Sequence, residues 1–152
     1  AVLADNNVYD NGDAGMALME SSRAEVSGNI FTNNKYGVRL SVGCSENRIE
    51  DNAVEDSIEY GFYTYEGSDL PEVMDTGRNQ RNVFVNNIVR GGPQSIKFGK
   101  SDHTWVITNT FEDAKIIQFE DCTETWVTNN SGLDDVEVKV QEGSCFAPQS
   151  TY

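Results

Sequence analysis

The sequence predicts an all-β protein, a right-handed parallel β-helix of about six coils, on three observations. An asparagine recurs every 21–23 residues, its flanks repeat in phase with it, and a short alternating apolar/polar segment follows each one. A unit this short, built of strands and tight turns, cannot bury its own apolar face. Copies stacked at the strand spacing of about 4.8 Å can. A leucine-rich repeat has a similar period, but its Leu-x-x-Leu-x-Leu framework is missing.

The asparagine register runs Asn7, Asn29, Asn52, Asn87, Asn109 and Asn130, with spacings of 22, 23, 35, 22 and 21. The long spacing is a 23-residue unit carrying a 12-residue insertion at 69–80 (DLPEVMDTGRNQ). Three residues before each asparagine stand Ala4, Val26, Ile49, Phe84, Val106 and Val127. The two residues after it are mostly apolar, until Ser131-Gly132 in the last unit, which is degenerate as terminal repeats are. Asparagine tolerates the left-handed region at a turn, and its amide can bond the same group in the next coil. The column is therefore read as a structural ladder rather than as catalytic residues.

After each asparagine comes a strand with period-2 alternation: 15–20 (GMALME), 37–42 (GVRLSV), 61–66 (GFYTYE), 95–100 (SIKFGK), 116–121 (IIQFED) and 136–141 (VEVKVQ). Clusters of Asn, Asp, Gly and Ser separate them, which is turn chemistry. No window carries a 3.6-residue apolar stripe, so helix is nearly absent. Alternation points Met16/Leu18, Val38/Leu40, Phe62/Thr64, Ile96/Phe98, Ile117/Phe119 and Val138/Val140 inward. It points Arg39, Tyr63, Tyr65 and Lys97 outward on one face in three successive coils. Two cations beside two tyrosines suit an extended acidic sugar polymer, with Arg and Lys for carboxylates and tyrosine for the rings. The competing reading is that Arg39 and Lys97 are solvated surface charges. The insertion at 69–80 follows this strand directly, where it would stand beside the strip as a wall or lid.

The chain's 152 residues and 16.8 kDa amount to one domain, 1–152. Acidic residues outnumber basic ones 25 to 11, giving a net charge of −14, which argues against a general nucleic-acid binder. No apolar run approaches the roughly 18 residues of a membrane span. The first coil begins at Ala1 without a capping segment, so the chain is expected to be a fragment of a longer β-helix. The C-terminal segment 142–152 leaves the repeat and reads as a closing tail. Open solenoid ends also invite end-to-end association.

His103 is the single histidine and stands in a turn, either a solvated side chain or a general base. No second histidine or cysteine pair builds a zinc site, and no phosphate loop, nucleophile elbow or calcium loop is present, so no metal or cofactor is expected. Cys122 and Cys145 are 23 residues apart, about one coil. That spacing allows a disulfide, although the register leaves the two about two positions out of line. Such a bond would pin the last coil and fit a secreted protein. Cys44 reads as a buried or half-buried free thiol.

The runs NNVYDNGDAGMALMESSRAEVSGNIFTNNKYGVRLSVG and YGFYTYEGSDLPEVMDTGRNQ resemble the mannuronan C5-epimerases of brown algae. More distantly the chain is similar to bacterial alginate epimerases. The most specific part of the resemblance is Tyr63 to Asp69 with the insertion behind it. The resemblance implies an extracellular, cell-wall protein acting on alginate, converting mannuronate to guluronate within the polymer. That chemistry needs a neutraliser for the substrate carboxylate, a base on one face of C5 and an acid on the other. In the family these centre on a Tyr-Gly-x-Asp-Pro-His motif.

That motif is missing here: Tyr60-Gly61-Phe62 continues Tyr63-Thr64, and Tyr36-Gly37-Val38 continues Arg39-Leu40. The chain is thus expected to correspond to the C-terminal coils of such an epimerase, with catalysis upstream. It would supply the downstream substrate groove of Arg39, Tyr63, Tyr65 and Lys97. Two other readings stand beside it. One is a non-enzymatic β-helix used for carbohydrate binding or extracellular assembly, and the other is a polysaccharide lyase.

Overall fold

In a computed structural model, residues 1–67, 77–141 and 146–148 are described. They wind into a parallel β-helix of about six turns, all-β as the repeat predicts, and every paired strand runs parallel to its neighbour. The first sheet stacks Val2–Ala4, Glu25–Ser27, Arg48–Glu50, Val83–Val85, Trp105–Ile107, Thr125–Thr128 and Phe146–Pro148. The second stacks Asn7–Tyr9, Ile30–Thr32, Ala53–Glu55, Ile88–Arg90 and Thr110–Glu112. The third, with the longest strands, stacks Ala14–Met19, Tyr36–Ser41, Tyr60–Tyr65, Gln94–Gly99, Ile116–Glu120 and Glu137–Val140. Asn79–Gln80 and Ser101–Asp102 form a short extra pair.

The inward columns meet in one core. From the first sheet it takes Val26, Ile49, Phe84, Val106 and Val127, and from the third Val38, Leu40, Phe62, Ile96, Phe98, Ile117 and Phe119. Phe62, Phe84 and Phe98 pack through the middle with tilted rings at centroid spacings of 4.7 and 5.1 Å. The inward assignment therefore holds for the first five coils. Val138 and Val140 keep the predicted register against Ile117 and Phe119, yet both remain more than 40 % exposed.

The asparagine ladder is real, with one correction. Its first rung is Asn6, not Asn7. Asn6 donates its backbone N–H and its side-chain Nδ2 to Asn29 Oδ1, each at 2.9 Å, whereas Asn7 opens the exposed strand opposite Ile30. In a strand a one-residue slip inverts the faces, and Leu3, not Ala4, is the residue level with Val26. The same paired donation joins Asn29 to Asn52, Asn52 to Asn87, Asn87 to Asn109 and Asn109 to Asn130. Each Nδ2 from Asn29 onward also bonds a carbonyl of the preceding coil, so a buried amide is satisfied on every side.

The left-handed turn conformation belongs to the residue before the rung: Asp5, Gly28, Asp51, Asn86, Thr108 and Asn129 all have positive φ. The rung asparagines serve as hydrogen-bonding columns and leave the left-handed angle to their neighbours. A second, shorter column, Asn11 to Asn34, and a third, Asn47 to Asn82, repeat the device at other corners.

Two boundaries also move. Asn79 and Gln80, assigned above to the insertion, belong to the repeat, because Asn79 Oδ1 accepts from Cys44 N–H and Gln80 bridges Ser45. Residues 68–76 of the insertion lie outside the described residues. At the other end, Phe146–Pro148 pairs in register with Thr125–Val127, so the segment read as a tail keeps the phase of the first sheet at those positions.

Candidate functional site

The outer face of the third sheet carries the predicted strip. Arg39, Tyr63 and Lys97 stand on one column, paired rung to rung, and Tyr65 lies two residues further along the same strand as Tyr63. Two tyrosines that strict alternation missed complete it, Tyr36 and Tyr60, which face each other across adjacent strands. Glycine explains the miss. Gly37 and Gly61 follow these tyrosines and are buried, as are Val38 and Phe62 next to them, so two inward residues in a row break the period. A Cβ on Gly37 would fall 2.2 Å from Val54 Cγ1, and one on Gly61 2.7 Å from Ser95 O. Only glycine lets the backbone pass that close, and the residue before it is thereby turned outward. The Tyr-Gly dipeptide, present twice, is the signal that could have found both.

The four rings form one surface. Tyr36 and Tyr60 stack at 5.6 Å and 13°, Tyr63 lies 4.8 Å from Tyr36 and 4.9 Å from Tyr60, and Tyr65 stacks on Tyr63 at 5.0 Å and 5°. Lys35 Nζ sits 5.2 Å from the Tyr36 ring centroid, and the Arg39 guanidinium 5.9 Å from it. Arg39 is largely covered; it donates to Asp13 at 2.7 Å while its buried Nε has no hydrogen-bond partner. Lys97 pairs with Glu120, which also accepts from Gln118 at 2.6 Å. Both predicted cations are therefore matched to carboxylates from neighbouring coils rather than solvated freely. Both side chains are largely covered, with the carboxylates beside them.

Burial, and then the neighbouring tyrosines, push the Tyr63 hydroxyl up to about 12 against the opposing pull of Arg39. At neutral pH it is a proton donor and an apolar ring, not a base. Burial likewise raises Tyr60, with Glu59 adding to it.

Beside Tyr65 a cavity of about 540 Å³ opens, lined by Tyr65, Glu66, Gly99, Lys100, Glu120 and Asp121. Its floor is low because Gly99, level with Glu120, has no side chain. Arg78, at the base of the insertion, closes this corner: it donates to both Asp102 oxygens at 2.6 and 2.7 Å and to Asp121 O at 2.7 Å. Burial alone would raise Asp102, but the hydrogen bonds from Arg78 and Thr123 hold it below the usual carboxylate range.

His103 is not part of this face. It occupies the left-handed turn between Ser101–Asp102 and Trp105–Ile107, half exposed, with Nδ1 2.5 Å from Glu124. Cys44 is free and fully buried, its Sγ 3.2 Å from Leu18 O and from Ser41 O. Cys122 is fully buried as well, while Cys145, its expected partner, lies outside the described residues. Among the described residues no group of three or more His, Cys, Asp and Glu side chains stands ready to hold a metal ion, and no helix is long and apolar enough to cross a membrane.

A family model described as the right handed beta helix region matches residues 1–73. No curated protein matches the chain.

Proposed function

We propose that the outer face of the third sheet binds an acidic polysaccharide of the alginate type across successive coils. The carrying observation is the contiguous surface of Tyr36, Tyr60, Tyr63 and Tyr65 with Arg39 and Lys97 set into it. Tyrosine faces take sugar rings, protonated hydroxyls donate to ring oxygens and carboxylates, and the two cations offset the polymer's charge. The cavity beside Tyr65 prolongs the face by room for a further unit. On this reading the chain supplies groove coils to a mannuronan C5-epimerase, an extracellular protein of the kind the sequence resembles.

The pairing of Arg39 with Asp13 and of Lys97 with Glu120 favours a second reading, a β-helix that binds the polymer without altering it. On that reading Tyr63, protonated and ringed by tyrosines, is an anchor only. Calorimetry with defined oligomannuronates tests the binding common to both. Arg39→Ala combined with Lys97→Ala is expected to weaken it by about tenfold or more, and unchanged affinity would count against the whole proposal. Proton NMR of polymannuronate incubated with the protein separates the two readings, since only epimerisation produces guluronate signals.

A further inference from the structure

The chain's two tryptophans stack on each other outside the core. Trp105 and Trp126 are rung partners in the first sheet, with centroids 4.4 Å apart and planes within 18°. Because the stack runs along the solenoid axis, the second face of Trp105 looks toward the rung below. That rung holds Val83, which is too short to cover an indole. Trp105 is left 40 % exposed above a cavity of about 320 Å³ lined by Arg81, Val83, His103, Trp105 and Trp126. The aromatic column thus stops one rung short, and the gap has about the thickness of one strand spacing, about 4.8 Å.

The charges around the gap are arranged as a column too. Along one line of left-handed turns stand Arg23, Glu46, Arg81, His103 and Glu124. Glu46 bonds Arg23 at 2.9 Å and stands 3.9 Å from Arg81, whose side chain is 61 % exposed. His103 is oriented by Glu124 through Nδ1, which leaves Nε2 as its nitrogen for a ligand. On the rung below Val83, Arg48 is held by Glu50 at 2.6 Å. The loosely paired cation at the mouth of the cavity is Arg81.

We propose that this gap is a second sugar site, separate from the tyrosine face, which takes one pyranose ring bearing a carboxylate. The ring lies over Val83 against the open face of Trp105, in the place a third indole would fill. Its carboxylate meets Arg81, and His103 serves a hydroxyl. A flat apolar ring face with an anionic edge matches an indole beside an underused guanidinium.

Both tryptophans belong to this site, so tryptophan emission from the full chain reads it alone. Titration with an oligomannuronate is expected to give a saturable emission change, and a neutral oligomannoside of equal length a weaker one. Trp105→Ala should lower affinity by about tenfold or more, with Trp126 still reporting the fold. Val83→Trp, which fills the gap with protein, should abolish binding while keeping the strand. Arg81→Gln should weaken only the acidic oligomer, and Tyr63→Ala should leave this signal unchanged even if it removes binding at the other face. The proposal is overturned by the absence of saturable change, by a change that survives Val83→Trp, or by one that follows Tyr63→Ala. Equal affinity for both oligomers with a silent Arg81→Gln would overturn its acidic specificity.

Discussion

Tyr63 sits where four hydroxyls, two cations and a buried sheet surface meet, and its ionisation reports that surroundings. Its pKa is raised from 10.0 to about 12, so below pH 10 it is neutral in folded and unfolded chains alike. Between pH 10 and 12 the unfolded chain loses the proton first, and stability falls with rising pH through that window. Ultraviolet titration of the tyrosines should show a late component near pH 12 that disappears in Tyr63→Phe, and the alkaline loss of stability should flatten with it. The ladder makes a second residue-level prediction. Asn52→Ala strips partners from the buried Asn29 N–H and leaves Val26 O without its side-chain donor, at a cost of about 3 kcal/mol in urea unfolding. Asn7→Ala should change stability by less than about 0.5 kcal/mol. The pair distinguishes a structural column from mere asparagine richness. Adjacent asparagines at 6 and 7 leave the first rung ambiguous in the sequence: composition cannot choose between them, whereas the bonds from Asn6 to Asn29 and the pairing of Leu3 with Val26 do.

Strand length decided what the sequence could reveal about each face. The third sheet's strands are five or six residues in most coils, long enough for alternation to show, and their inward columns are legible in the first five coils. First-sheet strands of three or four residues contain too few positions for alternation to show which side chains face outward, so the asparagine register set Trp105 level with Trp126 but not their stacking outside the core. Tyr36 and Tyr60 were lost differently, to a glycine that breaks the alternation beside them. At Gly99 the glycine has no such necessity. Its φ is not in the left-handed region, and a Cβ there would stand an ordinary 3.4 Å from Thr64 O. A Cβ there meets only ordinary contacts, so a larger residue can extend into the cavity. Gly99→Leu is therefore expected to fold with stability within about 1 kcal/mol of the parent, to fill the cavity beside Tyr65, and to weaken oligomannuronate binding without touching Tyr63. Calorimetry and thermal melting on one sample would show whether affinity falls alone.

At the scale of the whole molecule, a net charge of −14 is spread over stacked parallel coils. Any end-to-end stacking of such coils is opposed by charge at low ionic strength and released as salt shortens the screening length from about 30 Å at 0.01 M to about 8 Å at 0.15 M. Sedimentation velocity should show mass rising with salt, and a single unchanging species from 0.01 to 0.15 M would exclude this behaviour at the concentration used. The ladder then dictates the form of any assembly. From Asn6 to Asn109 the backbone N–H of each rung donates toward the Oδ1 of the following coil, so the side-chain oxygens of the column all face the preceding coil. Coils stacked in the same direction continue the polarity of this side-chain column, whereas coils stacked head to head would set Oδ1 against Oδ1. A two-fold dimer, the commonest way for identical chains to close, is thus disfavoured by the column itself. Growth by this route is vectorial and has no natural stopping number, so its products would be filaments of graded length.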